Sequence, residues 1–377
     1  MKHIISLLLT GLLLISCGET ATNQSTHQNE SEQNTEASSY FYRRLEGTIA
    51  DQPVVMHLHK TNNGYEGIYY YENIGQWLHL NVDSSSADSI YFSEYYLGEG
   101  WDGTGSGNAR LVCKYENGLL KGVWISKDNQ KTYPFELRAI YPQGSFQFEL
   151  KQFEDSLIAF PGMQESSVAR VDISSVMPKG NELLLRYVEK LLGFKLESTQ
   201  NFKNTYRKYF EEYRQNLPSP EDNSVPMHVY NYFYSQAVLV RYNDNNLVMF
   251  EEKVYEYTGG AHGNYGSTLH CLDVAKNARL ELSDIISADS ATLQKIVEQQ
   301  FRKQYKIGAS EKLTKVLFEE HLALTRNFYL TGKGIGFLYN PYEVAAYAQG
   351  QIEVFVPFTV LKNHLTPAFR ERLKIEG

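Results

Sequence analysis

The sequence predicts an α+β protein: an N-terminal all-β meander, closed as a small barrel or folded as a sandwich, followed by an α+β domain with an antiparallel sheet and flanking helices. Two observations carry that reading. Residues 40–141 alternate apolar and polar side chains in short runs separated by turns, the period of half-buried strands. Residues 142–377 mix such runs with apolar stripes at helical spacing, and the helices and strands come in blocks.

The chain opens on Met1-Lys2-His3, an apolar run, and Leu14-Ile15-Ser16-Cys17. A charged start, an apolar stretch too short to span a bilayer and a small residue before a cysteine mark a lipoprotein signal. Residues 1–16 are expected to be removed, leaving Cys17 as a diacylglyceryl-modified N-terminus, since two acyl chains hold a protein on a membrane where one does not. Residues 17–39 are mostly Ser, Thr, Asn, Gln and Glu and read as a disordered tether. The expected address is the cell envelope, on the periplasmic face of either membrane or on the cell surface. Loss of Lys2 with the signal takes the net charge from −8 to −9. That acidic balance gives no electrostatic footprint for nucleic acid. No later apolar run approaches the roughly 18 residues of a transmembrane helix. Of the remaining cysteines, Cys113 and Cys271 fall in different predicted domains, so two buried thiols are expected, with a disulfide as the alternative.

Within the β domain, strands are expected over 54–59, 65–71, 77–82, 89–95, 109–115, 119–126 and 132–137. Val54, Met56 and Leu58 alternate with Val55, His57 and His59, and Asn117-Gly118 is a strong hairpin signal because both residues tolerate positive φ. Gly67 and Gly122, inside strands, point to close backbone approach. Residues 98–108 place Asp102, Thr104, Ser106 and Asn108 at every second position, yet they hold one carboxylate among these positions and lack the closing Glu of a calcium loop. Ser106 does not sit in a Gly-x-Ser-x-Gly elbow, and no Gly-Lys-Ser/Thr follows as in a P-loop. The segment reads as a mobile hairpin loop carrying an exposed Trp101, a candidate aromatic anchor for a partner.

In the second domain Leu184, Val188, Leu191 and Leu192 mark a helix over 181–192 that ends at Gly193. Phe202, Tyr206, Tyr209, Phe210 and Tyr213 form a second stripe, read as core. Strands follow at 228–242 and 247–257, turned by Asn243-Asp244-Asn245-Asn246, and at 266–273. A helix at 290–305, strands at 326–331, 334–340 and 351–357, and a terminal helix at 366–374 complete it.

Two words stand out: Tyr257-Thr258-Gly259-Gly260-Ala261-His262-Gly263-Asn264, and Asn340-Pro341-Tyr342-Glu343-Val344-Ala345-Ala346-Tyr347-Ala348-Gln349-Gly350 before Val354-Phe355-Val356-Pro357. With the Leu282 to Ile286 turn between them, these resemble the extracellular domain shared by RsiV-type anti-sigma factors and PdaC-type peptidoglycan deacetylases, over about 145–375. In the RsiV type the resemblance implies a lysozyme-binding receptor, which also needs a transmembrane helix and a sigma-binding segment. In the PdaC type it implies a domain preceding a separate metal-dependent deacetylase. Neither addition is expected here. The resemblance therefore implies a non-enzymatic binder of a lysozyme-like protein or of peptidoglycan, with Tyr257, Thr258, Gly259, Gly260, His262, Asn264, Tyr342, Glu343, Tyr347 and Trp101 as candidate contacts.

His262 also invites a general-base or metal reading, with His270 eight residues on and Glu251, Glu252 and Glu256 on the preceding strand. No His-x-x-x-His or Cys-x-x-Cys spacing supports a zinc site, so no metal or cofactor is expected. The glycines account for a tight turn in which His262 hydrogen-bonds locally. A glycan hydrolase or deacetylase using His262, and a scaffold subunit of an envelope complex, stand as the alternatives.

Overall fold

Eight antiparallel strands close on themselves at the start of the computed structural model, which describes residues 40–86, 88–97, 107–219, 221 and 225–375. They are β1 (Phe41–Ile49), β2 (Gln52–Thr61), β3 (Gly64–Tyr71), β4 (Leu78–Ser85), β5 (Ile90–Tyr95), β6 (Ala109–Glu116), β7 (Leu119–Ser126) and β8 (Thr132–Ala139). Closure comes from β1 pairing with β8, Leu45 opposite Ala139 through Ile49 opposite Phe135. The barrel is filled by the inward alternants, among them Leu45, Met56, Leu58, Phe92, Leu111 and Leu137. Of the two architectures expected, the structure has the barrel. It also has one strand more than the alternation revealed. β1 was hidden because its outward Tyr42 and Arg44 are themselves buried, and because the Ala50-Asp51 turn reaches positive φ at both residues without Gly or Asn.

Gly122 shows why a strand keeps a glycine. A Cβ there would stand 2.2 Å from the Val112 carbonyl oxygen and 2.5 Å from the Cys113 Cβ, so the β6–β7 pair would have to separate. Gly122→Ala is expected to cost about 1–3 kcal/mol, read as a lower midpoint of chemical unfolding.

A six-stranded sheet follows, in the order β14-β13-β12-β11-β10-β9. Its strands are β9 (Phe148–Ile158), β10 (Val168–Pro178), β11 (Tyr232–Asp244), β12 (Leu247–Tyr257), β13 (Asn264–Asp273) and β14 (Ala278–Arg279). The sheet is antiparallel as expected except at one place: β10 and β11 run parallel, joined by α1 (Glu182–Leu192) and α2 (Thr199–Gln215). A parallel pair needs such a crossover. α1 is capped at both ends, Asn181 accepting from the Leu184 amide and Gly193 taking φ 76°. Leu184, Val188, Phe202 and Tyr206 bury against Val171, Ile173, Val238, Val240 and Phe250 on one sheet face, so the aromatic stripe is core.

Beyond α3 (Leu282–Ile285) and α4 (Ser290–Gln304) lies a three-stranded sheet of β15 (Phe328–Leu330), β16 (Gly334–Tyr339) and β17 (Ile352–Pro357), then α5 (Phe358–Leu361) and α6 (Pro367–Arg372). This layer covers Met249, Leu269 and Cys271 on the other face of the large sheet, together with barrel residues Tyr70 and Trp77. Trp77 stacks on Tyr329 at 3.6 Å between ring centres, fixing barrel to small sheet. Cys113 and Cys271 are both buried and unpaired, and burial pushes each thiol up to about 12. Among the described residues, no helix is long and apolar enough to cross a membrane.

Candidate functional site

The two motif words become loops that meet. Residues 257–264 turn β12 into β13, with Gly259 and Gly260 at φ 95° and 93°, a region closed to most side chains. The Tyr257 hydroxyl donates to the Gly260 carbonyl at 3.1 Å. Residues 340–350 link β16 to β17. Asn340 ties that link to β13, its Oδ1 accepting from the Ser267 amide at 2.7 Å and its Nδ2 donating to the Ser267 carbonyl at 3.1 Å. Glu343 accepts from the Asn340 amide at 3.0 Å and from its Nδ2 at 3.1 Å, so its carboxylate closes the turn.

At the junction the His262 imidazole lies on the Tyr347 ring at 4.0 Å, and the Tyr347 hydroxyl donates to the Gly263 carbonyl at 2.7 Å. Tyr342 and Tyr265 each stand 5.6 Å from Tyr347, the first tilted and the second edge-on. Tyr342 is 55% exposed and Tyr265 37%. Thr258, His262 and Asn264 are exposed. Two segments some eighty residues apart thus present one aromatic platform. Trp101 and Cys17 lie outside the described residues.

Three of the residues weighed as partners for His262, namely Glu251, Glu252 and His270, are bonded elsewhere. The His262 Nδ1 is 2.9 Å from the Gly263 carbonyl. Glu251 accepts from Arg241 and Ser267, each at 2.6 Å. Glu252 meets Gln236 at 2.6 Å and His270 at 3.2 Å, and His270 also meets the Tyr187 hydroxyl at 3.1 Å. Strand alternation is the reason: Glu252 and His270 are directed towards the helical face of the sheet, away from the loop.

A second feature was not visible in the motifs. Beside the platform a groove of about 350 Å³ runs across the sheet. The register builds its floor from two cross-strand rows: Asp172, Ser235, Tyr255 and Tyr265 in one, Ser174, Ala237, Lys253 and Ser267 in the next. Facing residues across paired strands share a side of the sheet, so both rows point into the groove. Asn63 and Glu66 from the barrel wall one side and Gln351 the other. Tyr265 belongs to both features and makes them continuous. The signal for the groove was the run of small polar residues on otherwise apolar strands, meaningless without the register.

Below the barrel wall lies an ion cluster, buried at Arg241 and Glu251 and open to solvent at Lys253. Glu66 accepts from Arg241 at 2.5 Å and Lys253 at 2.8 Å, while Arg241 also reaches Glu251. Burial alone would raise the Glu66 and Glu251 carboxyls, but the adjacent cations, Lys253 foremost for Glu66 and Arg241 for Glu251, outweigh it and hold both below the usual carboxylate range. For Asp172, bonded by Asn62 at 3.0 Å, burial prevails and the carboxyl is raised.

Comparison with known proteins places family models on both halves of this site. A model described as Deacetylase PdaC matches residues 132–265, ending on Tyr265, and one described as a protein of unknown function (DUF3298) matches residues 283–359, spanning the second loop. No curated protein matches the chain. Among solved structures, a member of the DUF3298 family from Bacteroides fragilis NCTC 9343 is 24% identical with a TM-score of 0.52, covering 62% of this chain and 99% of its own. A DUF3298 family protein from Pseudomonas aeruginosa PAO1 is 19% identical with a TM-score of 0.45, covering 60% of this chain and 98% of its own. The first likeness shows a shared fold.

Proposed function

From a C-terminal region that matches the PdaC and DUF3298 models, a cell-envelope-related domain of unknown function, we propose a lipid-anchored, non-enzymatic binding protein of the cell envelope. Its ligand is peptidoglycan or a lysozyme-like protein held at the wall. Cys17 supplies the anchor and residues 17–39 the reach. The observation that supports this reading is the convergence of residues 257–264 and 340–350 on one exposed platform of His262, Tyr342 and Tyr347. Rigid aromatic rings offer contact area at low entropic cost, which suits recognition. The commitment of Glu251 and Glu252 to other partners argues for binding over catalysis at His262.

Sedimentation with purified sacculi and titration with lysozyme test it. Wild type is expected to bind at least one saturably, and Tyr347→Ala to weaken that binding about tenfold, the scale of a central aromatic contact. Wild type binding neither would sink the reading. Turnover of muropeptides by wild type but not by His262→Ala would replace it with catalysis.

A further inference from the structure

The groove beside the platform carries a chemistry that the loop motifs do not. Four strands at about 4.8 Å spacing make its floor about 14 Å long. Ser174, Ala237 and Ser267 keep it deep because none fills the space above its own strand. The charges on its walls and floor are neutralised within the protein: Glu66 by Arg241 and Lys253, and Asp172 by amide donors and Arg170 at 3.4 Å. The hydroxyls are left over. Those of Ser235, Tyr255 and Tyr265 have no hydrogen-bond partner among the described residues. A peptide finds little here, since the floor strands spend their main-chain groups on one another and the floor offers no apolar pocket for a side chain.

Resting on the envelope-binding reading above, we propose that this groove binds an uncharged oligosaccharide, one pyranose face lying on Tyr265 and ring hydroxyls paired with Ser235 and Tyr255. The sugar chain then continues past Tyr265 onto the Tyr347–His262 platform. Glycan is thereby the ligand class of the whole surface, and the charges around the groove hold the floor in place without selecting a charged ligand.

Calorimetric titration of the full-length protein with chitotetraose and with maltotetraose tests the proposal. Saturable binding of at least one is expected. Ala237→Phe, which fills the floor, is expected to lower that affinity at least about tenfold, and Tyr265→Ala, at the exposed rim, to do the same. If Ala237→Phe fails to fold, Tyr265→Ala alone decides. Wild type that binds sacculi or lysozyme through Tyr347 but binds neither tetrasaccharide overturns the groove and leaves the envelope reading standing. So does tetrasaccharide binding that both groove variants retain. Tighter binding of polygalacturonate-derived anionic tetrasaccharide would overturn the uncharged class. Wild type that binds no sacculi, lysozyme or sugar overturns both.

Discussion

Acidification from pH 6.5 towards 5 is expected to lower folding stability through two histidines. His57 and His59 lie on the outer wall of β2 with no solvent exposure, and their Nε2 and Nδ1 atoms respectively have no partner. His57 is bonded at Nδ1 to the Tyr42 hydroxyl at 3.0 Å, and His59 Nε2 accepts from the Val240 amide at 3.1 Å. Burial first, then the neighbouring Arg44 for His57 and Arg241 for His59, holds both imidazoles well below the ordinary 6.5. As pH falls through 6.5 the unfolded chain takes up a proton at each, and the native protein does so only at lower pH. Stability is therefore full well above pH 6.5 and falls as pH drops, by at most about 1.4 kcal/mol per unit per histidine. Glu66 and Glu251, depressed in the fold, lose their contribution only as pH falls through the carboxylate range. Glu94 and Asp172, raised by burial, act in the opposite sense. Urea unfolding across pH 5–7 of wild type and of His57→Gln/His59→Gln isolates the imidazoles. The variant should lose far less stability on acidification, and parallel slopes would refute the assignment.

Arg241→Met is expected to cost about 3–5 kcal/mol, because it strands the buried Glu251 carboxylate without a cation. The guanidinium is 3% exposed and bridges Glu66 on the barrel to Glu251 on the sheet. Without it Lys253 remains for Glu66, while Glu251 keeps only the Ser267 hydroxyl as a close donor. Adding Glu251→Gln removes the uncompensated charge, keeps the Glu66–Lys253 pair and should recover most of the loss. Chemical unfolding of the single and double variants measures both. A single variant within 1 kcal/mol of wild type, on the order of a surface pair, would show that the cluster is hydrated and energetically slight.

How far the sequence reveals this molecule depends on which residues face water. Strands such as β5, β6 and β8 were legible because one face meets the core and the other solvent, and β2 and β3, buried on both faces, through their strand-forming residues and the Asn62-Asn63-Gly64 turn between them. β1 was not, since Tyr42 and Arg44, on its outer side, are covered by the chain around Asn243, to whose carbonyl Arg44 donates at 3.0 Å. β9 and β10 escaped for a related reason: Asp172 and Ser174 read as surface, although they floor a groove. The parallel pairing of β10 with β11 is a long-range choice that periodicity does not encode. At the site, the glycines and tyrosines of both loops were legible as special. Their meeting at Tyr347 was not legible, nor was the groove, since Ser235 and Ala237 acquire meaning from the strands beside them.

The barrel wall formed by Arg44, His57 and His59 also has a history in time. The barrel register is complete once Ala139 is made, but the residues that cover this wall, Val240 to Asp244, come about 100 residues later. Until that stretch docks, a closed barrel would carry a wet, protonatable flank. Docking of β11 turns that flank into interior, so the barrel alone and the finished protein should respond to acid differently.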